Sequence, residues 1–224
     1  MRLASIPKYK IYLNKNAVQD RHIYLFIKRL FGSIMSFIAL IVLSPFFAII
    51  AIRIKSFDKG SVIYKQTRIG LNEKPFTLYK FRTMHEGADE ILYKYEKDNQ
   101  IKGAMFKLQD DPRITPFGRF LRRHSFDELP QLFNVLKGNM YLIGPRPPLP
   151  EEVKKYTDYD KQRLYVKPGC SGLWQVTFRN EIDFSEMVQQ DLYYIDHANI
   201  FWDLRLIFRT VRVMIWPNGM YKRD

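Results

Sequence analysis

The chain has 224 residues and a formal net charge of +13, with 36 Lys and Arg against 23 Asp and Glu. This length builds one domain with a sizeable core, and it excludes two full domains. The excess of positive charge predicts an anionic partner, which composition alone leaves open as phospholipid headgroups, nucleic acid or a phosphorylated substrate. The single cysteine, Cys170, excludes an intramolecular disulfide and fits a reducing compartment.

A basic lead-in, residues 1–27, precedes the longest apolar run, residues 30–52. About 20 apolar residues cross a hydrocarbon core as a helix, but Lys and Arg flank both ends of the run, so no charge asymmetry orients a span. Pro45 breaks the helix because it has no amide hydrogen, and the Ser44 hydroxyl can satisfy the freed backbone groups. The residues leave two alternatives open: a re-entrant anchor over 28–55 that returns to the same face, and a kinked spanning helix. No small-residue cleavage site follows the run, so we expect an uncleaved anchor.

Residues 56–224 are predicted to form the remaining, cytoplasmic domain, with short strands at 60–64, 76–79 and 140–143. Thr115-Pro116 is typical of a helix start. A second helix is predicted from about Ser125 to Leu136, and others follow from Phe184. The fold class is therefore α+β, helix-rich with a few short strands.

The segment from Phe201 to Trp216 is apolar and carries arginines at helical spacing. Amphipathic helices of this kind lie in the membrane interface. A surface helix packed on the core fits the same pattern, and both alternatives stay open.

An adjacent acid pair, Asp127-Glu128, follows a stretch whose helical face carries three arginines, among them Arg122. Ser125 and Glu128 match a capping box, in which both side chains satisfy free amides at a helix start. The alternative is chemical: a carboxylate at a helix start has a lowered pKa and stays ionised, ready to act as a nucleophile or to bind Mg²⁺. Since arginine forks suit phosphate oxygens, this arrangement favours phosphoryl transfer from a nucleotide-bound substrate.

Three further segments carry candidate ligand-binding residues. Prolines on both sides hold Arg146 extended and ready to clamp an anion, unless it is a surface arginine in a turn. Lys80 and Arg82 share one face at a strand end by period-two alternation, unless that face is solvated. Pro168-Gly169 opens a glycine-rich loop with exposed amides, which is weak as a signal because most such loops are turns.

Several site classes find no support in the sequence. The four histidines are scattered, so no zinc site is predicted. Neither a G-x-G-x-x-G fingerprint nor a Walker loop is present, which argues against a dinucleotide fold and a P-loop NTPase. No nucleic-acid motif supports that partner either. Cys170 has no nearby histidine and is expected to be inert.

Taken together and in order, these segments resemble the bacterial sugar transferase family, the monotopic phosphoglycosyl transferases. The likeness covers roughly residues 25–216 and is specific, because many blocks recur in the family's order. The matching blocks are Ser44-Pro45, KFRTM at 80–84, DDPRITPFG at 110–118, SFDELPQLFNVLKG at 125–138, GPRP at 144–147, PG at 168–169, GLWQ at 172–175 and DLYY at 191–194.

The resemblance implies transfer of a sugar phosphate from a UDP-sugar to undecaprenyl phosphate, releasing UMP and starting assembly of a surface glycan. It implies that Asp127 is the nucleophile of a covalent phosphosugar intermediate and that Glu128 binds Mg²⁺ with or beside it. The implied phosphate-binding and site-lining residues are Arg122, Arg146, Lys80 and Arg82, with Pro168-Gly169 closing on the nucleotide.

The resemblance also implies a setting for the reaction. The family's anchor is the re-entrant helix with its break at Ser44-Pro45, which would place the domain on the cytoplasmic face of the bacterial inner membrane. The expected partners in that setting are anionic membrane lipids and, as a further possibility, downstream glycosyltransferases. Nucleic acid is not an expected partner. The main rival reading is a non-catalytic, membrane-anchored basic adaptor that binds lipid headgroups or partner proteins.

Overall fold

The computed structural model describes residues 9–57, 59–88, 111–177 and 182–217. The helices in these ranges are α1 Lys15–Gln19, α2 His22–Val42, α3 Ser44–Phe57, α4 Pro116–Arg123, α5 Gln131–Lys137, α6 Pro150–Val153, α7 Asp158–Lys161, α8 Leu173–Thr177, α9 Phe184–His197 and α10 Ile200–Ile215. The strands are β1 Ile63–Ile69, β2 Pro75–Phe81, β3 Tyr141–Ile143 and β4 Gly169–Ser171. The predicted α+β class, helix-rich with a few short strands, is confirmed.

The end of the basic lead-in, which the sequence left without a structure, packs against the domain. Asn14 caps α1 by accepting a hydrogen bond from the amide of Ala17. Ile11 and Val18 are buried in the main hydrophobic core. The Leu13 amide donates to the side chain of Gln162, 2.6 Å away. This part of the lead-in therefore belongs to the folded unit.

The apolar run forms two helices, α2 and α3, and the break between them falls at Leu43, directly before Ser44-Pro45, which begins α3. The Ser44 hydroxyl donates to the carbonyl of Ile41 at 2.7 Å, so it satisfies one backbone group that the break leaves free. By length and composition α2 can cross a membrane, and most of its surface is exposed. At about 1.5 Å per residue the 14 residues of α3 extend only about 21 Å, which is short of a 30 Å hydrocarbon core.

The first sheet is an antiparallel hairpin, β1–β2. β2 contains the predicted strand 76–79, whereas β1 overlaps the predicted strand 60–64 only at Ile63 and Tyr64 and continues to Ile69. A two-stranded hairpin alone is marginally stable, and here one side chain of α5 supports it. Asn134 is fully buried, accepts from the Tyr79 amide at 3.1 Å and donates to the Thr77 carbonyl at 2.6 Å. It thereby satisfies backbone groups at the free edge of β2 and fixes the hairpin to α5.

The second sheet pairs β3 with β4 in parallel, and it corrects the prediction of a flexible loop at Pro168-Gly169. Gly169 begins β4 and pairs with Tyr141. A Cβ at Gly169 would lie 2.0 Å from the amide nitrogen of Gly144, so this glycine permits the close approach of two backbones. Packing alone therefore requires glycine here, which a glycine-rich stretch does not reveal.

The main core lies between α8, α9, α10 and β3, and the helix predicted from Phe184 is confirmed as α9. Helix α10 packs on the core along one face, and the prediction that it lies in the membrane interface stays a prediction. Leu206 is fully buried in the core, whereas Phe201 and Phe208 are 86% and 74% exposed. One face of α10 is thus a packing face, and another presents aromatic side chains outward.

Candidate active site

A cavity of about 1150 Å³ opens between the hairpin, α2, the segment before α5, the β3–β4 sheet and α10. It gathers six of the residues that the sequence singled out, although they lie in four separate segments of the chain. These six are Lys80, Arg82, Arg122, Asp127, Glu128 and Arg146. Pro168 and Gly169 are not among the lining residues, whereas their neighbours Cys170 and Ser171 are.

The acid pair stands on a single 3₁₀ turn, Phe126–Glu128, and the capping-box interpretation is wrong. Ser125 has a left-handed backbone (φ 57°) and its side chain caps nothing. Pro130 separates this turn from α5, so the helix predicted from Ser125 begins only at Gln131. The carboxylate of Glu128, free of a capping role, accepts a hydrogen bond from Lys80 Nζ at 2.6 Å.

Burial and neighbouring charges separate the two acids. Asp127 is 7% exposed. Burial raises its pKa and the charge of Glu128 adds to this, whereas Lys80 and Arg122 act in the opposite direction. This outcome is contrary to the lowered pKa expected from the sequence. For Glu128 burial also opposes ionisation, but the charge and hydrogen bond of Lys80 outweigh it and the pKa is lowered. The pair is therefore one buried acid beside one ion-paired carboxylate.

Arg122 reaches the cavity because α4 packs directly on the segment that follows β2. Thr115 caps α4 as predicted, accepting from the Gly118 amide at 2.9 Å. A Cβ at Gly118 would lie 2.0 Å from the Thr83 carbonyl oxygen, so only glycine allows this approach. Arg122 Nε then donates to the Thr83 hydroxyl at 2.8 Å, and the charge of Arg122 acts to lower the pKa of Asp127.

Arg146 lies in the cavity wall and is not a surface arginine. Its side chain is 25% exposed, and Nη1 lies 3.5 Å from Oε2 of Glu152, which is itself buried. The proline elbow around it is held from two sides. The Pro145 carbonyl accepts from the Gly169 amide at 2.9 Å, and the Pro147 carbonyl accepts from Arg68 at 3.0 Å. The rigidity predicted from the prolines is thus reinforced by two neighbouring strands.

Sequence reasoning missed Arg68, a buried cation in the same cavity. Its guanidinium donates to the side chain of Gln66 at 2.6 and 3.0 Å, and burial together with Arg146 lowers its pKa to about 10. The signal was present: Tyr64 pairs with Lys80, and period-two alternation puts Arg68 on that face. The predicted strand ended at Tyr64, so this alternation was not followed far enough.

Cys170 lies in the cavity floor, and burial raises the pKa of its thiol. A thiol in this state is a poor nucleophile, which supports the prediction that it is inert. Among the described residues, no group of three or more His, Cys, Asp and Glu side chains converges as a metal site.

Comparison of the sequence with those of known proteins places this chain in a family. The model of the family described as "Bacterial sugar transferase" matches residues 23–217. The chain is 47% identical over 163 residues to the galactosyl transferase CpsE of Streptococcus agalactiae, covering 72% of this chain and 36% of that protein. It is 40% identical over 200 residues to the undecaprenyl-phosphate galactose phosphotransferase of Salmonella typhimurium, covering 88% of this chain and 42% of that protein.

A relative of similar length also matches. The exopolysaccharide production protein ExoY of Sinorhizobium fredii is 38% identical over 198 residues, which cover 87% of this chain and 88% of that protein. The chain spans less than half the length of the CpsE and Salmonella proteins, so it corresponds to one part of each. The family match over residues 23–217 and these relatives confirm the resemblance drawn from the motifs: the chain belongs to the bacterial sugar transferase family.

Proposed function

We propose that this protein transfers a sugar phosphate from a UDP-sugar to undecaprenyl phosphate and releases UMP. The observation that carries the proposal is the buried Asp127, next to an ion-paired Glu128, in a cavity lined by Lys80, Arg122 and Arg146. A carboxylate among cations suits attack on a phosphate, because the cations offset charge that accumulates on phosphoryl oxygens. The printed name of the Salmonella relative states a reaction of this class for that protein.

In the first step, a carboxylate oxygen of Asp127 attacks the sugar-bearing phosphorus of the donor. The new O–P bond forms as the bond between that phosphorus and the bridging oxygen breaks, and UMP leaves with the electron pair. Arg122 and Arg146 hold phosphate oxygens during this displacement, and Lys80 keeps Glu128 ionised beside it. The product of the step is a phosphosugar carried on Asp127.

In the second step, an oxygen of the polyprenyl phosphate attacks the same phosphorus. The bond to Asp127 breaks, its carboxylate is restored, and the polyprenyl diphosphate sugar departs. Two successive displacements let the water-soluble donor leave before the lipid acceptor binds, so both use one cavity in turn. Neither step consumes water, which agrees with the burial of Asp127.

The acid pair fits a Mg²⁺ ion, since Mg²⁺ binds proteins through one or two carboxylates and takes substrate phosphates and waters for its remaining ligands. Asp127 and Glu128 would hold it, and the donor diphosphate would supply further oxygens. When bound, the ion would neutralise charge on the phosphates and on the departing UMP.

We propose the re-entrant form for the anchor, and contacts at both limbs support it. Early in α2, Arg29 donates to the carbonyl of Leu136 at 2.8 Å, and Lys28 is buried against the domain. In α3, Ile50 and Ile54 are buried in a cluster with Phe81 and Leu121. Because both limbs rest on one domain, the chain returns to the side from which it enters. That side is the cytoplasmic face of the inner membrane, where UDP-sugars are found.

This topology predicts that both chain ends lie on the same side of the membrane. Epitope tags fused before residue 1 and after residue 224 are expected to be protected from protease in intact spheroplasts and digested after lysis. A tag on an established periplasmic loop of another membrane protein provides the control. Digestion of only the N-terminal tag in intact spheroplasts would show that the apolar run spans the bilayer.

The function is tested by supplying a panel of UDP-sugars with undecaprenyl phosphate and Mg²⁺ to the purified, detergent-solubilised protein. We expect one or a few donors to release UMP in an amount equal to the lipid-linked sugar formed. Phospholipid in place of undecaprenyl phosphate serves as the acceptor control. A protein that binds anionic vesicles but turns over no donor in the panel would be the basic adaptor instead.

A further inference from the structure

The elements that line the cavity supply chemically different side chains. Toward β2 and α4 its lining is polar and includes Arg82, Thr83 and Arg113. Toward the membrane helix the lining is apolar and comes from two helices. It includes Met35 and Ala39 on α2, Leu43 directly after it, and Val211, Met214 and Ile215 on α10. We call this apolar end, with those six residues as its walls, the α2–α10 groove.

A buried cluster fixes the spacing of the two helices that form the groove. Lys28 on α2 lies 3.0 Å from the carboxylate of Asp203 on α10, and Tyr24 donates to the same carboxylate at 2.9 Å. Ala39 and Met214 each lie 11 residues further along their helix, which corresponds to about 16 Å at 1.5 Å per residue. The helices are therefore joined at one end and line the cavity at the other.

Further apolar residues line the same cavity beside the groove and next to the acid pair in sequence. Leu142 of β3 lines the cavity and packs beside Gly32 of α2. Leu129 and Leu132, which follow Glu128, continue the apolar lining. Outside the groove, α2 exposes Ile38 and α10 exposes Phe208, and neither lines the cavity. The groove and the acid pair thus share one cavity with a continuous set of apolar lining residues.

We propose that the α2–α10 groove binds the part of the polyprenyl chain that adjoins the acceptor phosphate. This inference rests on the proposed function and adds the place and direction of acceptor binding. A UDP-sugar carries no apolar segment, so burying apolar lining against it would gain little. A polyprenyl phosphate combines an anion that must reach Asp127 with an apolar chain that must leave water. The donor then binds from the polar end and the acceptor from the apolar end of one cavity.

Filling the groove tests this assignment. Ala39→Trp places a large ring in the groove, and Ile38→Trp places the same ring on the exposed outer face of α2 as the matched control. We expect Ala39→Trp to raise the KM for undecaprenyl phosphate at least about tenfold while the KM for the UDP-sugar stays within about twofold. Ile38→Trp is expected to change neither value by more than about twofold.

The first half-reaction distinguishes a failure of the groove from a failure of the proposed function. Exchange of labelled UMP into the UDP-sugar needs no acceptor, and Ala39→Trp is expected to retain it. Retained exchange with an unchanged acceptor KM would overturn the groove and leave the function standing. Equal rises in both KM values would also overturn the groove. Absence of turnover and of exchange in the unsubstituted protein would instead overturn the function on which the groove depends.

Labelling gives a readout that does not depend on turnover or on a bulky substitution. Met214→Cys places a thiol in the groove, and Phe208→Cys places one on the exposed face of α10. Undecaprenyl phosphate in detergent micelles is expected to slow maleimide modification of the thiol at position 214 at least about fivefold and to leave position 208 unaffected. Equal protection at both positions, or the same protection by phospholipid alone, would overturn the assignment.

Discussion

Replacing Asp127 by asparagine is expected to abolish formation of the lipid-linked sugar, with a rate loss on the order of 10⁴-fold or more. Asparagine keeps the size of the side chain but lacks the carboxylate oxygen that attacks phosphorus. Asp127 is buried, and asparagine has nearly the same shape, so the substitution opens no void that would destabilise the domain. Turnover is measured as the rate at which UMP and the lipid-linked sugar form. Membrane association and thermal melting are followed on the same preparation.

The same change gives a covalent test. Incubating the unsubstituted protein with donor and no acceptor, then quenching, is expected to add the mass of one sugar phosphate to the peptide that contains Asp127. Asp127→Asn is expected to carry no adduct, whereas Asp196→Asn, at an exposed position, is expected to form it normally. An adduct on another residue of an active enzyme, or none at all, would contradict the covalent step.

Local sequence patterns correctly predicted those helix ends that are determined by neighbouring residues in the chain. Thr115-Pro116 begins α4 through its own cap, and Ser44-Pro45 ends α2 because proline lacks the amide that the helix needs. The hairpin was predicted in part, since the strand at 76–79 lies within β2 but β1 begins and ends later than the strand predicted at 60–64. Each of these signals acts within a few residues and can be read without the fold.

The same patterns failed where distant segments decide the structure. Ser125 and Glu128 match a capping box, but Lys80, 48 residues away, takes the Glu128 carboxylate and the turn stays separate from α5. Pro168-Gly169 looks like a loop because its partner strand β3 and the contact with Gly144 are not visible locally. Arg68 was missed for a different reason: the predicted strand ended at Tyr64, so the alternation that puts Arg68 on the same face was not followed that far.

The composition of the site was more predictable than its electrostatics. Lys80, Arg122, Asp127, Glu128 and Arg146 all line one cavity, as their residue types and order suggested. The direction of the Asp127 pKa shift was not predictable, because it is set first by burial and then by the opposing charges of Glu128 and Lys80. Burial depends on how the whole domain closes over the turn.

A buried ion pair behind Arg146 supplies the largest expected effect on stability. Arg163 and Asp191 are 2% and 1% exposed and form an ion pair, and Arg163 also donates to the Tyr156 hydroxyl at 2.9 Å. Burial raises the pKa of Asp191 against the opposing effect of Arg163. Burial would lower the pKa of Arg163, but the negative charge of Asp191 outweighs this effect, so the pKa of Arg163 is raised. Each side chain therefore stays ionised in the buried site because the opposite charge of its partner stabilises it.

Asp191→Asn is accordingly expected to lower the free energy of unfolding by about 3–5 kcal/mol, because it leaves the Arg163 guanidinium buried without a counter-charge. For a chain of this size that loss corresponds to a fall in melting temperature on the order of 10 °C, measured by thermal unfolding in detergent. The double variant Arg163→Leu/Asp191→Leu removes both charges and is expected to recover part of the loss. If Asp191→Asn melts within about 2 °C of the unsubstituted protein, the pair contributes no net stability, and the DLYY block at 191–194 must have another role.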